Sequence, residues 1–392
     1  MNFPVISLFS GAMGLDLGLE ASGLEIKIAQ DVDPWCEKTA ISNGKKYLLG
    51  DIKELIKEDP SCSFLLEKAK LQKDEVFAVV GGPPCQSFST AGRRESLNDP
   101  RGSLFMEFAH VIETIRPRFF VMENVKGLVS ASVSKPEKGK DKKDYTEEEK
   151  PGSALEIILN TFRNLGYKLE YDVVDAVYFG VPQFRERLII IGSRDHEDIF
   201  LPFPTHFPKH QNPDYRWRTI RDSIKDLEDS SETCGTFSDE RIKYLKHVPM
   251  GGNWRSLPQE LQKSAMGGAY ESGGGKTGFY RRLDYNQPAP TLVTSPTQKA
   301  TLLCHPVQHR PLNVREYARI QQFPDDWKIE GKAEDVYRQI GNAVPIGLGK
   351  AIGQVLISVA SQDSQIVTKR SRGTSVHKKI EQNTSSRNIN IV

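Results

Sequence analysis

Pro4 to Gly18 reads PVISLFSGAMGLDLG, and its two halves follow different periods. Val5, Ile6, Leu8 and Phe9 make a short apolar run of the kind that forms a buried strand, and from Leu15 onward the spacing turns helical. Between them stand Gly11 and Gly14, with Gly18 a turn further on. Glycine there lets a ligand approach the backbone and the N-terminus of the coming helix. Taken alone, such a turn suits a nicotinamide or flavin nucleotide equally well.

The unit repeats along the first half of the chain. EIKIAQ (25–30), VFAVV (76–80) and RFFVME (118–123) are β-rich runs. PWCEKTAIS (34–42), SLFMEFAHVIETI (103–115) and SALEIILNTFRNLG (153–166) carry helical spacing. YDVVDAVYFG and RLIIIGS add two strands read as a hairpin. This alternation predicts an α/β fold, a doubly wound, mostly parallel sheet with helices on both faces. The first domain is expected over residues 1–198, interrupted at 130–152 by a charged insertion read as mobile because it offers almost nothing to bury. From 199 to 312 Pro, Gly, aromatic and basic residues replace clean periodicity, marking a smaller irregular domain. A hinge (313–335), a return to the first domain (336–361) and a disordered tail (362–392) complete the plan.

Bulk composition narrows the class without naming it. The 392 residues carry a net charge of only +2, which hides a segregation. Arg241 to Arg310 holds ten Lys/Arg against three Asp/Glu, the footprint of a phosphate-contacting surface or of a plain solvated face. The five cysteines, at 36, 62, 85, 234 and 304, are scattered. Their odd number suits a reducing cytoplasm and argues against a disulfide framework or a bound metal. No apolar stretch reads as a membrane span and no signal-peptide layout opens the chain.

Ligands of open parallel sheets bind outside the carboxyl ends of the strands, so the residue after each strand matters most. Those residues are Asp31, Asp51 with Ile52, Cys85 within GGPPCQSFS, and Glu123 with Asn124. Asp31 suits a pair of ribose hydroxyls, though singly it would also serve as a helix cap. Cys85 singly would pass for a core cysteine. The consecutive prolines before it hold φ near −65° and would stiffen a loop that aims a sulfur, and it is the appearance of all these groups together on consecutive strand tips that chance does not readily produce.

Together these motifs resemble the C5-cytosine DNA methyltransferase family of bacterial restriction–modification type. FSGAMGLDLG resembles its cofactor loop, with Met13 where a third glycine is commoner, GGPPCQSFS its nucleophile motif, MENV its acid motif and QFRER (183–187) its arginine pair. RRLDYNQPAPTL, RPLNVREYARIQQFPDDW and IGNAVP resemble the closing motifs, in the family's order. GGGKTG does not complete a phosphate loop, because Tyr270 stands where its first glycine belongs. A tRNA cytosine-5 methyltransferase of the same family is the alternative, but its Cys-Phe-Thr signature is missing from this sequence.

The resemblance implies a Rossmann-like methyltransferase domain with a target-recognition domain. It implies transfer of a methyl group from S-adenosyl-methionine, leaving S-adenosyl-homocysteine, to carbon 5 of a cytosine swung out of double-stranded DNA. Cys85 would add to carbon 6, Glu123 would serve ring nitrogen 3 with Asn124 beside it, Arg187 would bind the base's carbonyl and Arg185 a phosphate. Phe9, Ser10, Gly11, Gly14, Leu15, Asp31, Val32, Asp51, Ile52, Gly82, Pro84, Leu104, Asn342 and Val344 would hold the cofactor. Gln86, Ser89, Arg101, Asn253, Arg255, Lys263, Lys276, Arg281, Arg282 and Thr291 would meet DNA. No metal is implied. The enzyme is expected to be a monomer in the bacterial cytoplasm, paired in function with a restriction endonuclease.

Overall fold

The computed structural model describes residues 2–84, 104–134, 136–137, 139–228 and 235–361. Seven strands, β1 (Pro4–Leu8), β2 (Glu25–Asp31), β3 (Tyr47–Leu49), β4 (Ala78–Gly81), β5 (Phe119–Val125), β6 (Lys168–Asp175) and β7 (Glu186–Ser193), form one sheet ordered β3-β2-β1-β4-β5-β7-β6. β3 to β5 run parallel, and β7 enters antiparallel between β5 and β6. The order reverses between β1 and β4, which opens a crevice at the carboxyl ends of those strands. β6 and β7 form the expected hairpin, paired from Lys168↔Ser193 to Asp175↔Glu186.

Alternation along the strands feeds two cores. Ile6, Leu8, Val79, Phe120 and Met122 join one, and Val5, Val80, Val121 and Ile189 join the other. The helices are α1 (Gly14–Ser22), α2 (Pro34–Ser42), α3 (Ile52–Glu58), α4 (Ser63–Ala69), α5 (Leu104–Ile115), α6 (Ser153–Asn164), α7 (Ile220–Ile224), α8 (Asp239–Leu245), α9 (Gln259–Met266), α10 (Val314–Ile320), α11 (Ala333–Asn342) and α12 (Ile346–Ala360). Phe105, Phe108, Ile158 and Phe162 of α5 and α6 cover the first face; Leu15 and Leu19 of α1 and Leu348, Ile352 and Leu356 of α12 cover the second.

α1 and α12 meet along a seam of glycines. A methyl group added to Gly14 would stand 2.3 Å from the Val344 carbonyl oxygen, and one on Gly18 would stand 2.4 Å from that of Ile346. Gly14 is therefore a packing residue and is not among those that line the cavity described below. By length and composition alone the run Ala333–Ala360 would be apolar enough to cross a bilayer. The chain breaks at Ala343–Pro345, however, and α12 alone has 15 residues against the about 20 a span needs.

The insertion after β5 is folded rather than mobile in its described residues. Ala131 and Val133 are buried, and Gly152 and Ala154 donate to the Ala131 carbonyl. A capping box between Thr146 and Glu149, with the Lys140–Glu149 ion pair at 2.5 Å, closes its turns. Counting its charges concealed this pairing. In the irregular region the boundary at 199 is also blurred. Ile199 and Phe200 belong to the second core, and Ile220, Ile224, Leu283 and Leu292 share a third with Ala12 and Met13. Two small clusters with Phe237, Tyr244, Trp254, Met266 and Leu302 are this region's own.

Candidate active site

The strand tips surround a cavity of about 850 Å³. Phe9, Ser10, Gly11 and Leu15 reach it from β1 and α1, Asp31 and Val32 from β2, and Asp51 and Ile52 from the end of β3. Gly82 and Pro84 follow β4, Leu104 opens α5, Glu123 and Asn124 end β5, and Arg185 and Arg187 begin β7. Asn342 and Val344 close one wall and Thr291 stands on another. Cys85, Gln86, Ser89 and Arg101 lie outside the described residues.

The turn after β1 is held open by its own backbone. Phe9 and Met13 both adopt the left-handed conformation, φ 55° and 66°. For a residue with a side chain this costs about 1–2 kcal/mol. Met13 is fully buried in the third core, and that packing explains how a methionine occupies a position better suited to glycine. Gly11, at φ 53°, has nothing within 4 Å of where a side chain would begin. Its N–H donates to Asp31 Oδ2 at 2.9 Å, while Asp31 Oδ1 accepts from the N–H groups of Val32 (2.7 Å) and Asp33 (3.0 Å). Burial pushes the Asp31 carboxyl above its ordinary range, against these three donors. Asp33, not Asp31, caps α2, and Asp51 caps α3.

The tip of β2 supplies a group the sequence reading missed. Gln30 lines the cavity; its Nε2 donates to the Gly50 carbonyl at 2.7 Å, and its Oε1 is buried without a partner among the described residues. A buried, unpaired acceptor beside an open glycine turn and a carboxylate fits the polar groups of an adenosyl-amino-acid cofactor. Arg338 and Gln339 of α11 also line this side, with Arg338 paired to Asp33. The sequence reading returned this stretch to the first domain, but its motif IGNAVP begins only at Ile340, just after these two residues.

At the other end of the cavity the antiparallel register decides the chemistry. Val125 pairs with Arg187, so Arg187 lies diagonally across from Glu123 on the same face. Its Nε stands 2.7 Å from Glu123 Oε1, both side chains being almost buried. Glu186 pairs instead with Lys126 at 2.6 Å. Gly82 has no room for a side chain, since a methyl there would meet Glu123 Oε2 at 2.9 Å. Asn124 Nδ2 donates to the Pro83 carbonyl at 3.0 Å. Asn124 thus clamps the proline segment that leads into Cys85, a positioning role.

Arg185 does not face DNA. It is buried at 2 % exposure, and its guanidinium donates to the carbonyls of Leu292 (3.0 Å), Gly341 (2.8 Å) and Asn342 (3.4 Å). Burial, and then the neighbouring Arg187, pulls its pKa well down, so the carbonyl dipoles are what hold the charge. Arg282 is likewise no DNA contact: it is buried and donates to the carbonyls of Val248, Leu245, His305 and Gln308. Arg281 Nε donates to the Leu302 carbonyl, Lys276 Nζ to that of Tyr270, and Asn253 caps the turn at Trp254. Arg255 and Lys263 are exposed, the first over the Trp254 ring, the second 4.0 Å from Glu271. Thr291 Oγ1 donates to the Phe184 carbonyl.

Beneath the cofactor turn lies Asp16 of α1. It is fully buried, and neither oxygen closes a regular hydrogen bond among the described residues. Burial pushes its carboxyl up to about 7, against the pull of the Ser7 hydroxyl. Between about pH 4 and 7 the folded chain keeps a proton that the unfolded chain has released. Stability therefore falls by roughly 1.4 kcal/mol per pH unit as pH rises through that window, and levels off above it. Asp16→Asn should gain stability on the parent by this amount per unit, read as urea midpoints from pH 4 to 8. Parallel pH profiles would remove the assignment.

Comparison with known proteins says what kind of enzyme carries this fold and site: a methyltransferase. The C-5 cytosine-specific DNA methylase profile matches residues 3–358. The chain is 38% identical over 363 residues to the Type II methyltransferase M.PspPI of Psychrobacter, covering 91% of this chain and 79% of that one. It is 36% identical over 362 residues to M.Sau96I of Staphylococcus aureus, covering 92% and 77%. Among solved structures, a protein encoded within an Escherichia coli prophage superposes with a TM-score of 0.60 at 24% identity, covering 92% of this chain and 100% of that one. The Dnmt2 methyltransferase of S. pombe superposes at 0.53 and 18%, covering 91% and 99%; both share the fold. The chain belongs to the C-5 cytosine-specific DNA methylase family.

Proposed function

We propose that the protein methylates carbon 5 of a specific cytosine in double-stranded DNA through a covalent bond to Cys85, as the modifying half of a type II restriction–modification pair. The supporting observation is the convergence on one cavity of the proline segment leading into Cys85, the Glu123–Arg187 pair and the Gly11–Asp31 turn.

Carbon 5 of cytosine is a weak nucleophile. Addition of the Cys85 thiolate to carbon 6 moves electron density onto carbon 5. Glu123 takes up that demand by protonating or hydrogen-bonding ring nitrogen 3, and Arg187 holds the carboxyl at 2.7 Å while reaching the base's carbonyl oxygen. S-adenosyl-methionine, when bound, supplies the electrophilic methyl group. Asp31, Gly11 and Gln30 are the groups that would bind it, and Val32, 62 % exposed on the cavity wall, offers an apolar surface. Removal of the carbon 5 proton and β-elimination then release Cys85. The exposed basic residues of 241–310, Arg255 and Lys263 among them, suit the duplex from which the base is swung.

DNA carrying 5-fluorocytosine at the target should trap a denaturation-resistant protein–DNA adduct, because fluorine blocks the elimination. Active enzyme that leaves no adduct would refute the covalent step. Bisulfite sequencing of a plasmid methylated in cells would supply the target.

A further inference from the structure

One rim of the cavity comes from the irregular region: Thr291 to Thr294, then Gln298. This segment is pinned from several sides. The Leu292 N–H donates to Gln183 Oε1 at 2.8 Å and the Leu292 carbonyl accepts from Arg185, while the Val293 carbonyl accepts from the Tyr317 hydroxyl at 2.8 Å. Further along, Arg241 Nη1 donates to the Thr297 carbonyl at 2.8 Å and the Leu303 N–H to that of Pro296 at 3.0 Å. Gln298 is exposed on this fixed turn. Its carboxamide oxygen accepts from the Thr301 hydroxyl at 3.1 Å, which leaves the amide N–H groups without a partner among the described residues.

The cations among the described residues that line the cavity are all engaged. Arg185 serves backbone carbonyls, Arg187 serves Glu123, and Arg338 serves Asp33 and Asp335. Thr291 has spent its hydroxyl on Phe184. A cytosine entering the cavity must bring its sugar and flanking phosphates to the rim, where they would meet Gln298 and Thr294 rather than an uncommitted cation among the described lining residues.

We propose that Gln298 donates its amide N–H to a phosphate flanking the extruded cytosine and so holds the displaced nucleotide at the mouth of the site. The assignment rests on the DNA-methylating reading above. A preformed neutral donor suits the task, since it adds no charge that would compete for Glu123, and hydrogen bonds to ionised acceptors are the stronger kind.

The test uses the full chain and its mapped target duplex, with and without methylphosphonate linkages on both sides of the target cytosine. Gln298→Ala should weaken binding to the ordinary duplex about five- to tenfold, and to the methylphosphonate duplex by less than about twofold, because the partner charge is already gone. Gln298→Lys should restore binding and steepen the log Kd against log salt slope by about 0.9. Fluorescence of 2-aminopurine at the target position should fall in the alanine variant and return in the lysine variant. Unchanged binding by Gln298→Ala would overturn the proposal. So would equal losses on both duplexes with no rescue by lysine, which would make Gln298 a reader of bases. A parent protein that leaves DNA unmethylated would end the underlying reading instead.

Discussion

Glu123→Gln is expected to slow methyl transfer about 10³-fold, within the range a positioned general acid contributes. The amide keeps the shape and can still point a hydrogen bond at ring nitrogen 3. It cannot pass between the protonated form that would serve ring nitrogen 3 and the ionised form that pairs with Arg187 at 2.7 Å. That loss acts on the reacting base, so turnover should fall while the fold survives and DNA affinity stays within about threefold, an exposed contact's worth of free energy. Single-turnover transfer of radiolabelled methyl groups, with anisotropy on the same protein for DNA affinity, separates the two. Turnover within tenfold of the parent would take Glu123 out of the chemistry.

Arg185→Met should damage the whole molecule. The guanidinium ties the first residues of β7 to Leu292 on the rim and to Gly341 and Asn342 on the cofactor wall. Methionine fills much of the volume but leaves buried carbonyl oxygens without donors, at a cost of about 3–5 kcal/mol. Because the cavity wall itself is released, affinity for S-adenosyl-methionine should fall as well. Urea unfolding and calorimetric titration of the cofactor measure the two losses. Arg185→Lys, with one point donor in place of a planar fork, should recover part of the stability and little of the affinity. A methionine variant as stable as the parent would show that the carbonyls find other partners.

The same arginine marks where sequence reasoning stopped. Strand tips were readable because a short apolar run ends abruptly in a polar residue, and the sheet then carries each tip to one edge whatever the intervening lengths. That logic located Asp31, Asp51 and Glu123, and the QFRER resemblance supplied Arg187, all on the cavity. An arginine's charge, by contrast, advertises a surface, and nothing in QFRER or RRLDY says that Arg185 and Arg282 are taken inside to bind carbonyls. Their partners lie 107 and 156 residues away for Arg185 and 23 to 37 away for Arg282. Gly14 is the converse case: a glycine stands out in the motif, but the backbone that packs on it, at Val344, comes more than 300 positions later. The diagonal between Glu123 and Arg187 needed the antiparallel strand, which a hairpin reading implied but did not place beside β5. Gln30 and Gln298 carry no motif, and only the cavity singles them out.

The glycine seam ties the first helix of the described chain to the last. α1 lies more than 300 positions ahead of α12, which ends at Ala360 and covers the face of α1 beneath the turn after β1. A chain that stops short of α12 therefore leaves that face of α1, and the turn it carries, without its packing partner.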